Sequence, residues 1–198
     1  MDILCSKLPT KIKLDNRIVD INYDYRTIIR IIQAFEDAEL TKEEKLYILI
    51  KNLYKSNIEE NEYEIAIKQG MKFIDCGNTN KKNTSSSRVY SFKKDANYIF
   101  TGINQTHNID LSKEKDLHWW KFYALFMDMK PNCMFGELIY YRSREKDGKL
   151  TNEEMKVYKR LSDIFDLNEI ENRECSEQRK QFIEELKKNS RRWKNDWI

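Results

Sequence analysis

Glycine and proline are scarce, five and two in 198 residues, which argues against a turn-rich sheet protein and for long helices. Long apolar runs are missing too. No stretch approaches about eighteen uninterrupted apolar residues, and no positive segment followed by an apolar run opens the chain. A soluble, cytoplasmic chain with no membrane partner is expected. The four cysteines, Cys5, Cys76, Cys133 and Cys175, form no CxxC pair, and the two histidines, His107 and His118, complete no zinc pattern. Reduced thiols, no metal and no cofactor are therefore expected. Neither sign of charge prevails: the net charge of +3 sets up no global field that calls for nucleic acid or a membrane surface. With 40% hydrophobic and 35% charged residues, the chain is globular rather than disordered.

What the sequence does have is concentrated between Asp116 and Ser143, DLHWWKFYALFMDMKPNCMFGELIYYRS. Wound as a helix from Leu117 to Asp128, this stretch places His118, Lys121 and Asp128 on one polar stripe and apolar groups nearly everywhere else. A helix apolar on most sides is surrounded by protein. Pro131 is expected to stop it, Asn132 and Cys133 to turn the chain, and Phe135 to Tyr141 to return as a second helix ending in Arg142: a helical hairpin at the centre of the core. One buried Trp or Phe removes about 150–250 Å² from water, worth on the order of 4–6 kcal/mol gross.

Around this centre the pattern predicts a mainly α fold, a multi-helix domain with a small N-terminal β-hairpin and an amphipathic C-terminal tail helix. Lys11 to Ile21 alternates about Asp15-Asn16, which sets Ile12 opposite Val19 and Lys11 opposite Asp20. Asp24 caps a helix carrying Ile28, Ile29, Ile32 and Phe35 and ending near Ala38. Thr41-Lys42-Glu43-Glu44 is a capping box that opens a second helix to about Tyr54, and a third follows with Tyr63, Ile67, Phe73 and Ile74. Ser91 caps a helix from Phe92 to His107, and Thr151 to Glu154 opens another with Val157, Leu161, Ile164 and Phe165, packed on the Trp-rich hairpin. Four segments result: residues 1–77 (hairpin and helices), 78–89 (a flexible Asn, Ser and Lys-rich connection), 90–167 (the Trp-rich helices) and 168–198 (a charged tail helix).

No catalytic motif emerges. His118 beside Asp116 resembles a base and its orienting carboxylate, but no nucleophile is placed near them by any motif, and a histidine hydrogen-bonded to a neighbouring element is the preferred reading. Cys133 is read as a small packed hydrophobe, and Lys121 and Arg142 as surface or capping charges. Trp119, Phe122, Phe126, Tyr140 and Tyr141 have two readings, a core or a groove that grips a partner helix. The tail after Lys187, basic and containing Trp193 and Trp197, supplies the competing function, a nucleic-acid-binding regulator; the glutamates before it would repel phosphate.

Leu117-His118-Trp119-Trp120-Lys121-Phe122, followed by Pro131, Phe135, Ile139 and Tyr141-Arg142-Ser143, resembles the core signature of a tail assembly chaperone family of long-tailed phages and prophages, the gene-product-fifteen-like proteins encoded just upstream of the tape measure gene. The similarity extends back through Tyr90 to Leu111, with its Lys-Asp-Ala and Ile-Asp-Leu pattern, and to Leu8-Pro9-Thr10. Asn108 stands where that family usually has Gly before Ile-Asp-Leu; Asn is the next most tolerant residue of a left-handed helix end. Residues after about Phe165 and the spacer from Asn78 to Arg88 lie outside the resemblance. The resemblance implies a non-enzymatic chaperone of the host bacterial cytoplasm that keeps the tape measure protein soluble during tail tube assembly and is absent from the mature particle. Its implied partners are the tape measure protein, further copies of the chain and another tail assembly chaperone.

Overall fold

Strand pairing at the N-terminal end follows the alternation. In the computed structural model, which describes residues 4–78 and 89–167, β1 (Lys11–Lys13) and β2 (Ile18–Asp20) are antiparallel with Ile12 opposite Val19 and Lys11 opposite Asp20. The Leu14 N–H donates to the Arg17 carbonyl at 2.9 Å, closing the turn on Asp15-Asn16. Such a ribbon is marginal alone. Its inward residues Ile12, Leu14, Val19 and Ile21 are buried, with α3 (Tyr63–Ile74) packed on β1.

Asp24 caps α1 (Tyr25–Glu36) through a 2.9 Å bond from the Arg26 N–H. Of the four apolar residues expected on its core face only Ile28 is fully buried, together with Tyr25 and Ile31; Ile29, Ile32 and Phe35 are half-buried. The apolar arc of α1 is wider than the strip that α2 (Lys42–Leu53) covers. The Thr41 box is formed in both directions: Thr41 Oγ1 accepts from the Glu44 N–H and Glu44 Oε2 from the Thr41 N–H. A short 3-10 turn, Glu60–Glu62, leads into α3. At the far end of α3 the chain turns through Gly77 at φ 77°, a left-handed conformation that glycine adopts without strain.

Helix α4 (Ala96–His107) begins four residues later than expected from Phe92. Ser91 still caps: its Oγ accepts the Lys93 and Lys94 N–H groups, but residues 92–95 form a turn instead of helix. Asn108 ends α4 at φ 55° and ψ 36°, its N–H bonded to the Asn104 carbonyl at 2.8 Å.

Helix α5 is Trp119–Met127, shorter than the expected Leu117 to Asp128, because His118 is held extended in a β-bridge with Asp24. The helix stops four residues before Pro131, and α6 (Met134–Lys146) continues past Arg142. The expected helical hairpin is not a close helix pair. Helix α6 lies along α4, and the connection that leads into α6 packs there too: a Cβ on Gly102 would sit 2.8 Å from Met129 Sδ and 3.3 Å from Cys133 Sγ. Towards α5 the contact is made by rings, Phe126 against Phe135 at 5.3 Å. The Thr151 box opens α7 (Asn152–Arg160), but Leu161 at φ −112° and ψ 24° separates it from α8 (Ser162–Phe165), and both pack on α6.

Contacts group the described residues into two units, 4–78 with His118–Trp120, and 89–117 with 121–167. The expected tail helix and most of the expected connection lie outside the described residues.

Because Asn108 holds a left-handed conformation, Asn108→Ala is expected to lower stability by about 1 kcal/mol, while Asn108→Gly changes it little. Urea midpoints of the two variants check this; equal effects would show that the turn is not held at positive φ.

Candidate functional site

The residues that carry the signature are spent on closing the fold. Helix α3 leaves four carbonyls at its end without intrahelical partners, those of Met71, Lys72, Phe73 and Ile74. The chain's own turn supplies Asp75 N–H to Met71, Gly77 N–H to Lys72 and Cys76 N–H to Phe73. The adjacent tryptophans supply the donor for Ile74 and a second one for Phe73. Trp119 Nε1–H donates to the Ile74 carbonyl at 2.8 Å, and Trp120 Nε1–H to the Phe73 carbonyl at 2.9 Å. Both indoles are buried, so each buries a large apolar area and also satisfies a buried polar group.

His118 completes the arrangement. Its Nε2 lies 3.0 Å from the Pro9 carbonyl and its Nδ1 3.0 Å from the Trp120 N–H. A carbonyl only accepts and an amide N–H only donates, so the imidazole is neutral, with its proton on Nε2. The ring stands before the first residue of α5 and accepts from the second, the position of an N-terminal cap. It stacks on Tyr23 at 5.2 Å and meets Phe73 edge-on, while the Trp119 N–H bonds the Tyr23 carbonyl. Burial pushes its pKa down, and the bond to Pro9 opposes this in part. Both nitrogens are taken, which leaves neither for Asp116; a hydrogen bond to a neighbouring element is what His118 makes.

In the other unit, Arg142 is buried, so of its two readings, a surface or a capping charge, the first is excluded and the second holds. Its guanidinium makes a bidentate pair with Asp95, Nη1 to Oδ2 at 2.7 Å and Nη2 to Oδ1 at 2.9 Å. The remaining donors reach the carbonyls of Val89, Ile164 and Phe165, so all five are used and the end of α8 is capped. Asp95 also accepts the Ser91 N–H. The pair had a signal in the sequence: Phe135, Leu138 and Arg142 fall at i, i+3 and i+7, all on the buried face of α6.

Of the proposed gripping residues, Trp119, Phe122 and Phe126 are buried within the chain, Phe122 and Phe126 in a ring cluster with Tyr90, Phe92 and Phe135. Leu117 is buried too, and Lys121 is exposed. Tyr140 is 47% exposed, its hydroxyl bonded to Glu154 at 2.8 Å and its ring under Arg144, while Tyr141 is half-buried against Phe165. Cys133 is buried, and its sulfur caps α6 by accepting the Gly136 N–H. Cys5, Cys76 and Cys133 are free thiols, and burial, helped by Asp75, pushes the Cys76 thiol up to about 12, far from a reactive thiolate. Among the described residues no three or more His, Cys, Asp or Glu side chains gather as metal ligands, and no helix is long and apolar enough to cross a membrane.

Trp120→Ala is expected to cost about 3–5 kcal/mol through loss of a buried aromatic. Trp119→Phe keeps a ring but removes a donor and should cost about 1–3 kcal/mol. Denaturant titration measures both, and a change under about 1 kcal/mol for the alanine variant, the scale of a surface substitution, would contradict the burial. His118 sets a pH dependence. The unfolded imidazole takes up its proton near pH 6.5, whereas the folded one resists it to lower pH. Its contribution is complete above that pH and is lost as pH falls through the folded value. Between pH 7.5 and 5 the urea midpoint of the native chain should therefore fall more than that of His118→Asn; parallel curves would rule this out.

No curated protein and no solved structure matches the chain. The family model described as Bacteriophage Gp15 protein matches residues 4–167, a span that takes in Pro9, Asp95, the tryptophan pair and Arg142. The chain belongs to the bacteriophage Gp15 protein family.

Proposed function

We propose that the chain is a non-enzymatic tail assembly chaperone that binds the tape measure protein and keeps it soluble while the tail tube forms. The observation that carries this reading is the family match across residues 4–167, joined to the signature from Leu117 to Ser143. The use of the signature side chains supports it: both His118 nitrogens, both indole N–H groups and all five Arg142 donors are engaged within the chain, a pattern of scaffold groups rather than reacting ones. Client contact then falls to exposed apolar side chains such as Ile18, Phe100, Met127 and Tyr140. A tape measure protein is far longer than one such chain can cover, so several copies act on one client, in the host cytoplasm, and leave before the particle is complete.

Coexpression with a tape measure fragment tests the proposal. The fragment is expected to move to the soluble fraction, to co-purify with the chain and, by light scattering, to carry several copies of it. A client that stays insoluble, or a strict monomer that never co-elutes with it, overturns the reading.

A further inference from the structure

The two edges of the β1–β2 hairpin are unlike. On the β2 side the Lys55 N–H donates to the Asp20 carbonyl at 3.0 Å and the Asn22 N–H to the Leu53 carbonyl at 2.7 Å, so the segment after α2 occupies that edge. On the β1 side the phase of the ladder decides. The bonds from Ile21 N–H to the Thr10 carbonyl and from Leu14 N–H to the Arg17 carbonyl point residues 10, 12 and 14 inward to β2, which turns the main-chain groups of Lys11 and Lys13 away from it. Among the described residues nothing bonds those groups, and both lysines are exposed. An open edge is a template for another strand.

The lysines select which strand. A second copy of β1, paired antiparallel about Ile12, would set Lys11 opposite Lys13 twice, and like charges directly opposite destabilise a pair. Lys11 has a solvent-exposed pairing with Asp20 at 3.4 Å, and Lys13 has no acidic partner among the described residues. We propose that the β1 edge binds an extended segment of an acidic partner, with Asp or Glu opposite Lys11 and Lys13 and an apolar residue between them beside Ile12. Main-chain bonds supply the attachment and the two charge pairs the choice, as in other cases of strand addition. The proposal does not rest on the chaperone reading, since a strand edge of this kind serves any protein with an acidic extended segment.

A synthetic peptide of alternating Glu and Val, blocked at both ends, tests this on the full chain, with a Lys-for-Glu peptide as the control. In NMR titrations with amide exchange, the Lys11 and Lys13 amides are expected to exchange fast in the free chain and to slow when the acidic peptide binds. The control should bind about tenfold more weakly, the scale of two cross-strand charge pairs. Lys11→Glu with Lys13→Glu should invert the preference while Ile12 and Val19 amides stay protected, which shows the hairpin intact. Lys11 and Lys13 amides already protected in the free chain, no binding of the acidic peptide, equal binding of the two peptides, or a preference that survives the charge reversal would each overturn the proposal.

Discussion

A guanidinium cannot lose its charge inside a protein, and this dictates how the second unit is put together around Arg142. Five N–H groups taken out of water need five acceptors. They come from four residues in three places of the chain: the Asp95 carboxylate before α4, the Val89 carbonyl ahead of it, and the Ile164 and Phe165 carbonyls at the end of α8. Each of these segments is therefore positioned by α6, which carries the arginine. Removing one partner of such a pair leaves an uncompensated buried charge, at about 3–5 kcal/mol, against a net stability of about 5–15 kcal/mol for a typical domain. The aromatic cluster of Tyr90, Phe92, Phe122, Phe126 and Phe135 contributes buried area, whereas the guanidinium also needs an acceptor in each of five fixed directions.

The first unit obeys the same rule at a helix end. At the end of α3 the carbonyls of Phe73 and Ile74 lie where the two tryptophans pack. The two adjacent indoles do two things there, since each ring fills space and its N–H reaches a carbonyl. Phenylalanine would do only the first. The neutral His118 then ties the Pro9 carbonyl to the start of α5, a bond that spans 109 positions of sequence and for which a charged imidazole would be unsuited.

These assignments bear on function by subtraction. The conspicuous groups of the sequence, the tryptophan pair, the histidine and the arginine, hold the chain in shape, so a contact with another molecule belongs to what the surface offers. Among the described residues that includes the exposed apolar side chains Leu4, Ile18, Phe100, Met127 and Tyr140 and a strand edge flanked by lysines. Half-buried Ile29, Ile32 and Phe35 on α1 add apolar area that α2 leaves partly uncovered.

Local sequence determined much of this. The register of Ile12 with Val19, the boxes at Thr41 and Thr151, the cap at Asp24 and the left-handed Asn108 were all legible, because each depends on residues a few positions apart. The family, too, could be read from the motifs alone. Tertiary structure decided where helices truly begin and which signature residues meet. Helix α5 starts at Trp119 because Asp24, far back in the chain, holds His118 extended. Helix α4 starts at Ala96 where Asp95, whose carboxylate receives Arg142 from 47 positions away, ends the preceding turn. Propensity and periodicity act within a turn or two of the chain, whereas a buried charge or an orphaned carbonyl is answered by whatever donor or acceptor folding brings to it.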